Sequence, residues 1–489
     1  MSAARRSAGA GHVAMERGEG GQRPRASAAR RAGGTIVQEV EHFLRLRGAT
    51  VALLAVAAAL LTANLRAQMP EPAPAPPAAP AAPAAAPAAV PAAAPTAGET
   101  PAEAAALDAG HSLTDLRPED VLEAAKHGAG AGEDTPLPDP AAIVAALDRG
   151  RDFLIGSQNA DGSWGSWDQP SDEFWSNPYS HKAWIIATTG LVAMSLLEQH
   201  DHAPSQAAAD RGLQYLLAQG PPQRPSDWDV DNTWGDIYGL DAVTTALGNP
   251  RWKDGERGAA LRAKAVEYIG QLQQYESPTG GWGYYDFDTK ADRPSWATSF
   301  ETAAGVVGLV QARELGIELP PNVLEAAVKG LEKAHMKNGA YSYSLDPIPH
   351  YNLEYINNVK GSLSRIQAGN YALVRAGTKD VSHADLLAGL DLFFEHHRFL
   401  DVARQKPVPH EAYYFNSGYF YFFGHFYAAR LLDLLTPAER ARYSARLARE
   451  VVKTQEPDGS MWDYYMNTYG KAYGTAYGVM TLQRTLPER

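Results

Sequence analysis

One pattern recurs along the chain beyond residue 140 and limits what it can fold into. Its clearest copy runs through Arg149-Gly150, Phe153-Leu154-Ile155, Gln158 and Gly162-Ser163-Trp164. Lys264-Ala265 leads through Tyr268-Ile269 to Gln274 and Gly280-Gly281-Trp282, and Lys329-Gly330-Leu331 leads to Gly339-Ala340-Tyr341. Arg449 leads through Val451-Val452 to Gln455 and Gly459-Ser460-Met461-Trp462, and Arg211-Gly212 leads through Tyr215-Leu216-Leu217 to Gln219, without the Gly-aromatic end. Each copy reads as a helix stop: the Gln bonds loose backbone groups at the helix C-terminus, Gly permits a sharp turn, and the aromatic covers the joint.

The repeat sorts the chain into two kinds of helix. Charged helices start near Ala141, Ser205, Ala259, Asn322, Ala384 and Ala438, at steps of 64, 54, 63, 62 and 54 residues. Helices rich in small and aromatic residues alternate with them, over Ser180–Glu198, Asn232–Leu247, Trp296–Arg313, Ser362–Ala376, Gly418–Leu435 and Thr468–Arg484. The second set is apolar on too much of its surface to face water, so six inner and six outer helices predict an all-α fold, a closed (α/α)6 toroid over residues 141–489.

Composition agrees with where the core lies. All 10 Trp, all 23 Tyr and 12 of the 13 Phe follow residue 140. The chain has no Cys, which excludes disulfides, thiolate metal sites and cysteine nucleophiles and suits an oxidising compartment. The net charge is −12; residues 1–48 carry nine Arg against four Glu, which leaves the rest at −17. An acidic, aromatic-rich body without a basic stripe makes nucleic acid an unsuitable partner.

The first 140 residues read as targeting and spacing. Residues 1–47 form a basic, disordered lead. Within residues 48–66, the run Gly48–Leu65 is uncharged and as helix would span about 27 Å, enough for a bilayer's hydrocarbon core. The Arg residues before it orient that end to the cytoplasm, so the domain is expected outside, in the periplasm or at the cell surface. The segment serves as a transmembrane anchor or as a signal peptide, with Ala67 at an imperfect cleavage site. Residues 67–140 are a Pro/Ala-rich and then acidic linker, with one short amphipathic helix over Arg117–Lys126.

The Gln-to-Trp repeat over about 141–489 resembles that of the squalene-hopene cyclase, oxidosqualene cyclase and protein prenyltransferase β-subunit superfamily. The resemblance implies a toroid whose aromatic-lined cavity holds an isoprenoid; it is more specific for fold than for reaction. Class II terpene cyclases of this family carry Asp-x-Asp-Asp-Thr, whose central Asp protonates an alkene or epoxide. Here Asp229, Asp231 and Thr233 match, and the resemblance makes Asp231 the acid. Asn232 stands where the last Asp should be, an exchange expected to lower the acid's pKa by removing a like charge. The chain also holds one barrel where the bacterial triterpene cyclases hold two. The prenyltransferase zinc site, which the family builds from Asp, Cys and His, cannot form without Cys; no metal and no cofactor are expected.

Inner-helix N-termini converge on one mouth of such a barrel, and polar or aromatic residues there are site candidates. Asp231, Asp229, Glu301 and His181 are the catalytic candidates; Trp234, Trp184, Trp296, Tyr419, His425 and Tyr469 are the ligand-binding ones. Asp229 or Asp231 could instead cap the Asn232 helix. The run His410 to Tyr427 supplies an aromatic wall, with Tyr421, His425 and Ala428 on one helical face, and Tyr464, Tyr465, Tyr469 and Tyr473 could line the same cavity. Plain core packing accounts for the same pattern. Adjacent His396 and His397 cannot both point one way, which argues against a metal pair.

Three functions fit these residues. The first is an exported or membrane-anchored terpenoid-cyclase-like toroid binding a small hydrophobic molecule, with catalysis left open and, if present, of the class II cyclase-like isomerase kind. The second is a carbohydrate-active lyase or hydrolase taking a glycan, with His181 and Glu301 as base and acid. The third is a non-catalytic interaction module. Oligomeric state is not legible.

Overall fold

The computed structural model describes residues 136–166, 177–288, 293–345, 356–466 and 468–486. Among them thirteen α-helices alternate between two rings. The inner ring is α2 (Pro178–Leu197), α4 (Asn232–Gly248), α6 (Ser299–Glu314), α8 (Leu363–Ala376), α11 (Phe420–Leu432) and α13 (Tyr469–Thr485). The outer ring is α1 (Pro140–Gly156), α3 (Ala203–Ala218), α5 (Gly255–Tyr275), α7 (Val323–Ala334), α9 (His383–Glu395) and α12 (Pro437–Val452). Each inner helix packs on the next and α13 packs back on α2, so the inner ring closes. The predicted helix starts agree to within a few residues. The exception is a short extra helix, α10 (Arg398–Ala403), between α9 and α11.

The two rings differ as the pattern requires. Every residue of α11 is buried, as are sixteen of the twenty in α2, whereas α5 buries seven of twenty-one. Outer helices carry the start signals: Thr436 and Ser382 form capping boxes with Glu439 and Asp385, each satisfying two backbone donors that the first turn leaves unpaired.

The repeat is a joint between neighbouring hairpins. Gln158 Nε2 donates to the Gly162 carbonyl at 2.9 Å in its own turn and to the Ala208 carbonyl at 2.9 Å on α3, while Arg211 of α3 donates back to Gln158 Oε1. Gln455 does the same at the ring closure, donating to Gly459 at 3.0 Å and to Ala146 on α1 at 2.8 Å, with Arg149 donating back. The Gln therefore ties its turn to the next outer helix instead of capping its own, which corrects the expectation. In the third copy the position belongs to Glu276, six residues before Trp282 as Gln158 is six before Trp164; Gln274 is exposed.

The aromatic end locks the turn to the inner ring. The backbone amides of Trp164, Trp282, Tyr341 and Met461 donate to the hydroxyls of Thr189, Thr302, Ser362 and Thr475, at 2.8–3.1 Å. The indoles of Trp164 and Trp282 donate to Leu154 and Leu272 carbonyls, at 2.7 and 2.8 Å. In the last copy Met461 fills the aromatic's place, and Trp462 turns to Glu456.

The two ends of the inner ring are unlike. Near the C-terminal ends each inner helix or its cap supplies a charged side chain: Glu198, Asp241, Glu314, Arg375, Arg430 and Arg484. Arg484 pairs with Glu198 at 2.6 Å and Arg375 with Glu314 at 2.5 Å, and Arg430 lies 3.7 Å from Asp241 in the buried hub. At the N-terminal mouth, Tyr179, Trp228, Phe287, Val408, Phe415 and Tyr465 are six of the eight large hydrophobic residues exposed among those described.

No described helix is long and apolar enough to cross a membrane. The stretch Gly48–Leu65, the linker and the short helix expected over 117–126 lie outside the described residues.

The joint yields a test. Gly162 has φ +92°, and a Cβ there would sit 2.6 Å from the Arg211 carbonyl oxygen. Gly162→Ala is expected to destabilise the fold by more than about 1 kcal/mol in urea unfolding. Gly156→Ala, in open space, should be neutral or stabilising by up to about 1 kcal/mol.

Candidate functional site

The inner helices leave a cavity of about 270 Å³ at their N-terminal half. Helix α2 contributes Trp184, Ala187, Thr188 and Leu191; α4 and its entry contribute Asp231, Trp234 and Tyr238. Tyr284, Tyr285 and Phe300 come from the α6 side, His410, Tyr419, Phe420 and Phe423 from the α11 side, and Tyr464, Met466, Tyr469, Tyr473 and Tyr477 from the α13 side. Aromatic faces dominate this wall: Trp234 stacks on Tyr238 at 5.8 Å and 8°, and Phe300 meets Trp234, Tyr419 and Phe423 within 6.4 Å. Ring faces of this kind favour apolar ligands and positive charge.

The acid is positioned by a short backbone pairing. Val230 donates to the Tyr284 carbonyl at 3.0 Å and Asp286 to Trp228 at 2.7 Å, which fixes the strand-like entry into α4. Asp229 Oδ1 accepts the Asp231 amide at 2.9 Å and its Oδ2 accepts from Ser180 at 3.2 Å. Asp231 holds the N-cap place of α4 yet makes no side-chain cap bond. Asp231 lines the cavity, and no cap bond holds its carboxyl.

Three carboxyls share this corner. Burial raises Asp231 well above the usual carboxylate range, and the nearby Asp229 and Glu301 carboxyls raise it further, against a hydrogen bond from Ser180. Burial pushes Glu301 up to about 8, opposed by the Thr233 hydroxyl, which donates to its Oε1 at 2.5 Å. Glu301 Oε2 is buried with no hydrogen-bond partner, an arrangement suited to the neutral acid. Burial also raises Asp229, against its bonds from the Asp231 amide and Ser180.

Asn232 takes one like charge out of the run, yet the acid is still raised well above the usual carboxylate range. Glu301, on the next inner helix, supplies the second like charge. Asn232 turns into the wall beside Asp236, whose buried carboxyl has neither oxygen hydrogen-bonded; the amide opposes the rise that burial gives Asp236 without an ordinary hydrogen bond to it.

The other candidates divide. Trp184, Trp234, Tyr419, Tyr469, Tyr464 and Tyr473 line the cavity as expected. His181 stands behind that lining, its Nδ1 3.1 Å from Tyr469 Oη and its ring edge-on to Trp184. Trp296 packs on Tyr284 and Phe287 outside it, and Tyr465 faces solvent. His425 is a correction: it faces the outer ring, its Nε2 2.9 Å from His397 Nε2 and its Nδ1 donating to the Tyr421 carbonyl at 2.7 Å. Tyr421 also faces outward, donating to Glu450 O at 2.8 Å.

Tyr238, Tyr477 and His410 are among the cavity residues that the sequence reading did not single out. Tyr238 and Tyr477 join across the hub through their hydroxyls at 2.5 Å; Tyr238 is four residues after Trp234, a spacing that signalled it. His410 was seen as part of the aromatic run but not as a site residue. Its Nδ1 donates to the Phe415 carbonyl at 2.7 Å, so Nε2 faces the Tyr419 hydroxyl at 3.1 Å as acceptor. It sits at φ 64° in a loop that also holds Gln405, Tyr414 and Phe415 at positive φ. His397, Asp401 and Glu450 gather within 4.8 Å away from the cavity; Lys453 Nζ is bonded to both carboxylates and Arg449 pairs with Glu450, so two cations balance the two carboxylates.

Residues 131–342 match the family model of the squalene-hopene cyclase C-terminal domain. The chain is 29% identical over 211 residues to a probable squalene–hopene cyclase of Sinorhizobium fredii, covering 40% of this chain and 30% of the relative. It is 29% identical over 185 residues to a squalene–hopene cyclase of Bradyrhizobium diazoefficiens, covering 35% and 26%. These matches, with the repeat, support the terpenoid cyclase and protein prenyltransferase α/α-toroid superfamily. The matched stretch spans under a third of the length of these relatives.

Solved structures of similar fold include the type II terpene cyclase MstE from Scytonema, at 15% identity and TM-score 0.42 over 71% of this chain and 98% of that one. Another is a GH76A α-1,6-mannanase from Salegentibacter, at 12% identity and TM-score 0.45 over 70% and 98%. Likeness at this level selects no chemistry.

The corner's protonation is measurable through stability. A carboxyl raised in the folded state binds its proton there while the unfolded chain has released it, so stability falls as pH rises from about 4.5 to about 8 for Glu301. Glu301→Gln should lose less stability than the native protein between pH 5 and pH 8 in urea unfolding; parallel profiles would contradict the buried neutral acid.

Proposed function

We propose that the protein is a terpenoid-cyclase-like isomerase that binds an isoprenoid-like apolar molecule in the hub and protonates it from Asp231. One observation carries this: Asp231 lines an aromatic, largely apolar cavity, while burial and two neighbouring carboxyls raise it well above the usual carboxylate range. A carboxyl in water has given up its proton at neutral pH; one held neutral in a dry site still has it to give to an alkene. The cation so formed would be surrounded by the faces of Trp234, Tyr238, Phe300 and Tyr477, which attract positive charge.

The exposed aromatic residues around the mouth support an apolar ligand, since such a molecule can cross them without full hydration. A sugar ring would ask for several hydrogen-bonding side chains, whereas this wall offers mostly ring faces, with phenol hydroxyls such as those of Tyr238 and Tyr477 engaged with each other. We further propose that Gly48–Leu65 delivers or tethers the domain outside the cytoplasm, with the Pro/Ala stretch as spacer.

The test is conversion of acyclic isoprenoid alcohols and hydrocarbons by purified protein in D₂O, followed by mass spectrometry of extracts. Native protein should give isomerised or cyclised product carrying one deuterium at carbon, and Asp231→Asn should lower the rate by about a hundredfold or more. Undiminished conversion by Asp231→Asn, or ligand retained by native protein without any conversion, would overturn the catalytic role.

A further inference from the structure

The cavity ends well before the barrel does. Its deepest lining residues are Leu191, Tyr238, Phe423 and Tyr477, and the last five residues of each inner helix contribute none. The reason is a floor of two phenols: Tyr238 of α4 and Tyr477 of α13, both buried, meet hydroxyl to hydroxyl at 2.5 Å across the hub. Phe426 packs against Tyr477 from below at 4.9 Å, and the buried Arg430–Asp241 pair follows one layer further down. A ligand entering from the mouth cannot pass this floor without breaking the phenol pair and reaching buried charge, which an apolar chain cannot satisfy.

The floor sets how deep a chain entering from the mouth can reach. We infer that the Tyr238–Tyr477 pair limits the length of the isoprenoid this cavity takes, and that the limit falls short of the six-unit chain of a triterpene. The inference rests on the cavity being the ligand site. It adds a length limit and the residues responsible, neither of which depends on whether Asp231 transfers a proton.

Retention of ligand needs no chemistry and separates the claims. Native protein is mixed in turn with geraniol, farnesol, geranylgeraniol and squalene delivered from cyclodextrin, passed through gel filtration, and the retained molecule is quantified by extraction. At least one of the three alcohols should be retained stoichiometrically and squalene at least about tenfold less. Tyr238→Ala combined with Tyr477→Ala should raise squalene retention by about tenfold, with circular dichroism confirming the helical fold. Squalene retained by native protein as well as the best alcohol would overturn the length limit and leave the cavity as the site. A folded double variant with the native cut-off would overturn the role of the floor. If none of the four is retained by native protein, the ligand class and the limit fall together. The cut-off of the native protein decides the length claim even where the double variant fails to fold.

Discussion

The side-chain amide of Gln158, shared between its own turn and the next outer helix, is the interaction on which the architecture depends. Repeated by Gln455 onto α1, it joins the last hairpin to the first and turns a row of hairpins into a ring. An open row would leave its terminal inner helices facing water with almost no polar face, at a cost of about 25 cal/mol for each Å² of apolar surface. Closure removes those ends. It also encloses a hub lined by side chains of the inner helices and the loops that enter them.

The hub's chemistry follows from its dryness. A carboxyl on the surface would ionise without consequence; Asp231, Glu301 and Asp229 are buried where water is scarce, and Asp229 and Glu301 both disfavour ionisation of Asp231. Glu301 shows how the ring substitutes for sequence. Asn232 removes an acidic group from the run that carries Asp229 and Asp231, and the adjacent helix supplies another from 68 residues away, as the separation of the Thr233–Glu301 bond records. Such a replacement is legible only once α4 and α6 are neighbours.

The fold was largely legible because its signals are periodic and local. Gln, Gly and aromatic residues at fixed offsets mark the joints, and the contrast between charged and apolar helices marks the rings. The site was legible in part. Trp184, Trp234, Tyr419 and Tyr469 were found because they sit at inner-helix N-termini, which the topology brings to one mouth. His425 misled: on an inner helix that is buried on every side, composition does not say which face meets the hub and which meets the outer ring. The Gln of the repeat was given the wrong partner for a related reason, since a bond to the next outer helix leaves no trace in the residues beside it. The Tyr238–Tyr477 pair joins positions 239 residues apart, and neither residue alone announces the other.

The central claim is that Asp231 carries its proton at neutral pH inside the aromatic hub. Infrared difference spectroscopy of native protein against Asp231→Asn at pH 7, in H₂O and D₂O, tests it directly. The account predicts the loss of a protonated carboxylic acid carbonyl band that shifts in D₂O. Loss of an ionised carboxylate band in its place would contradict it.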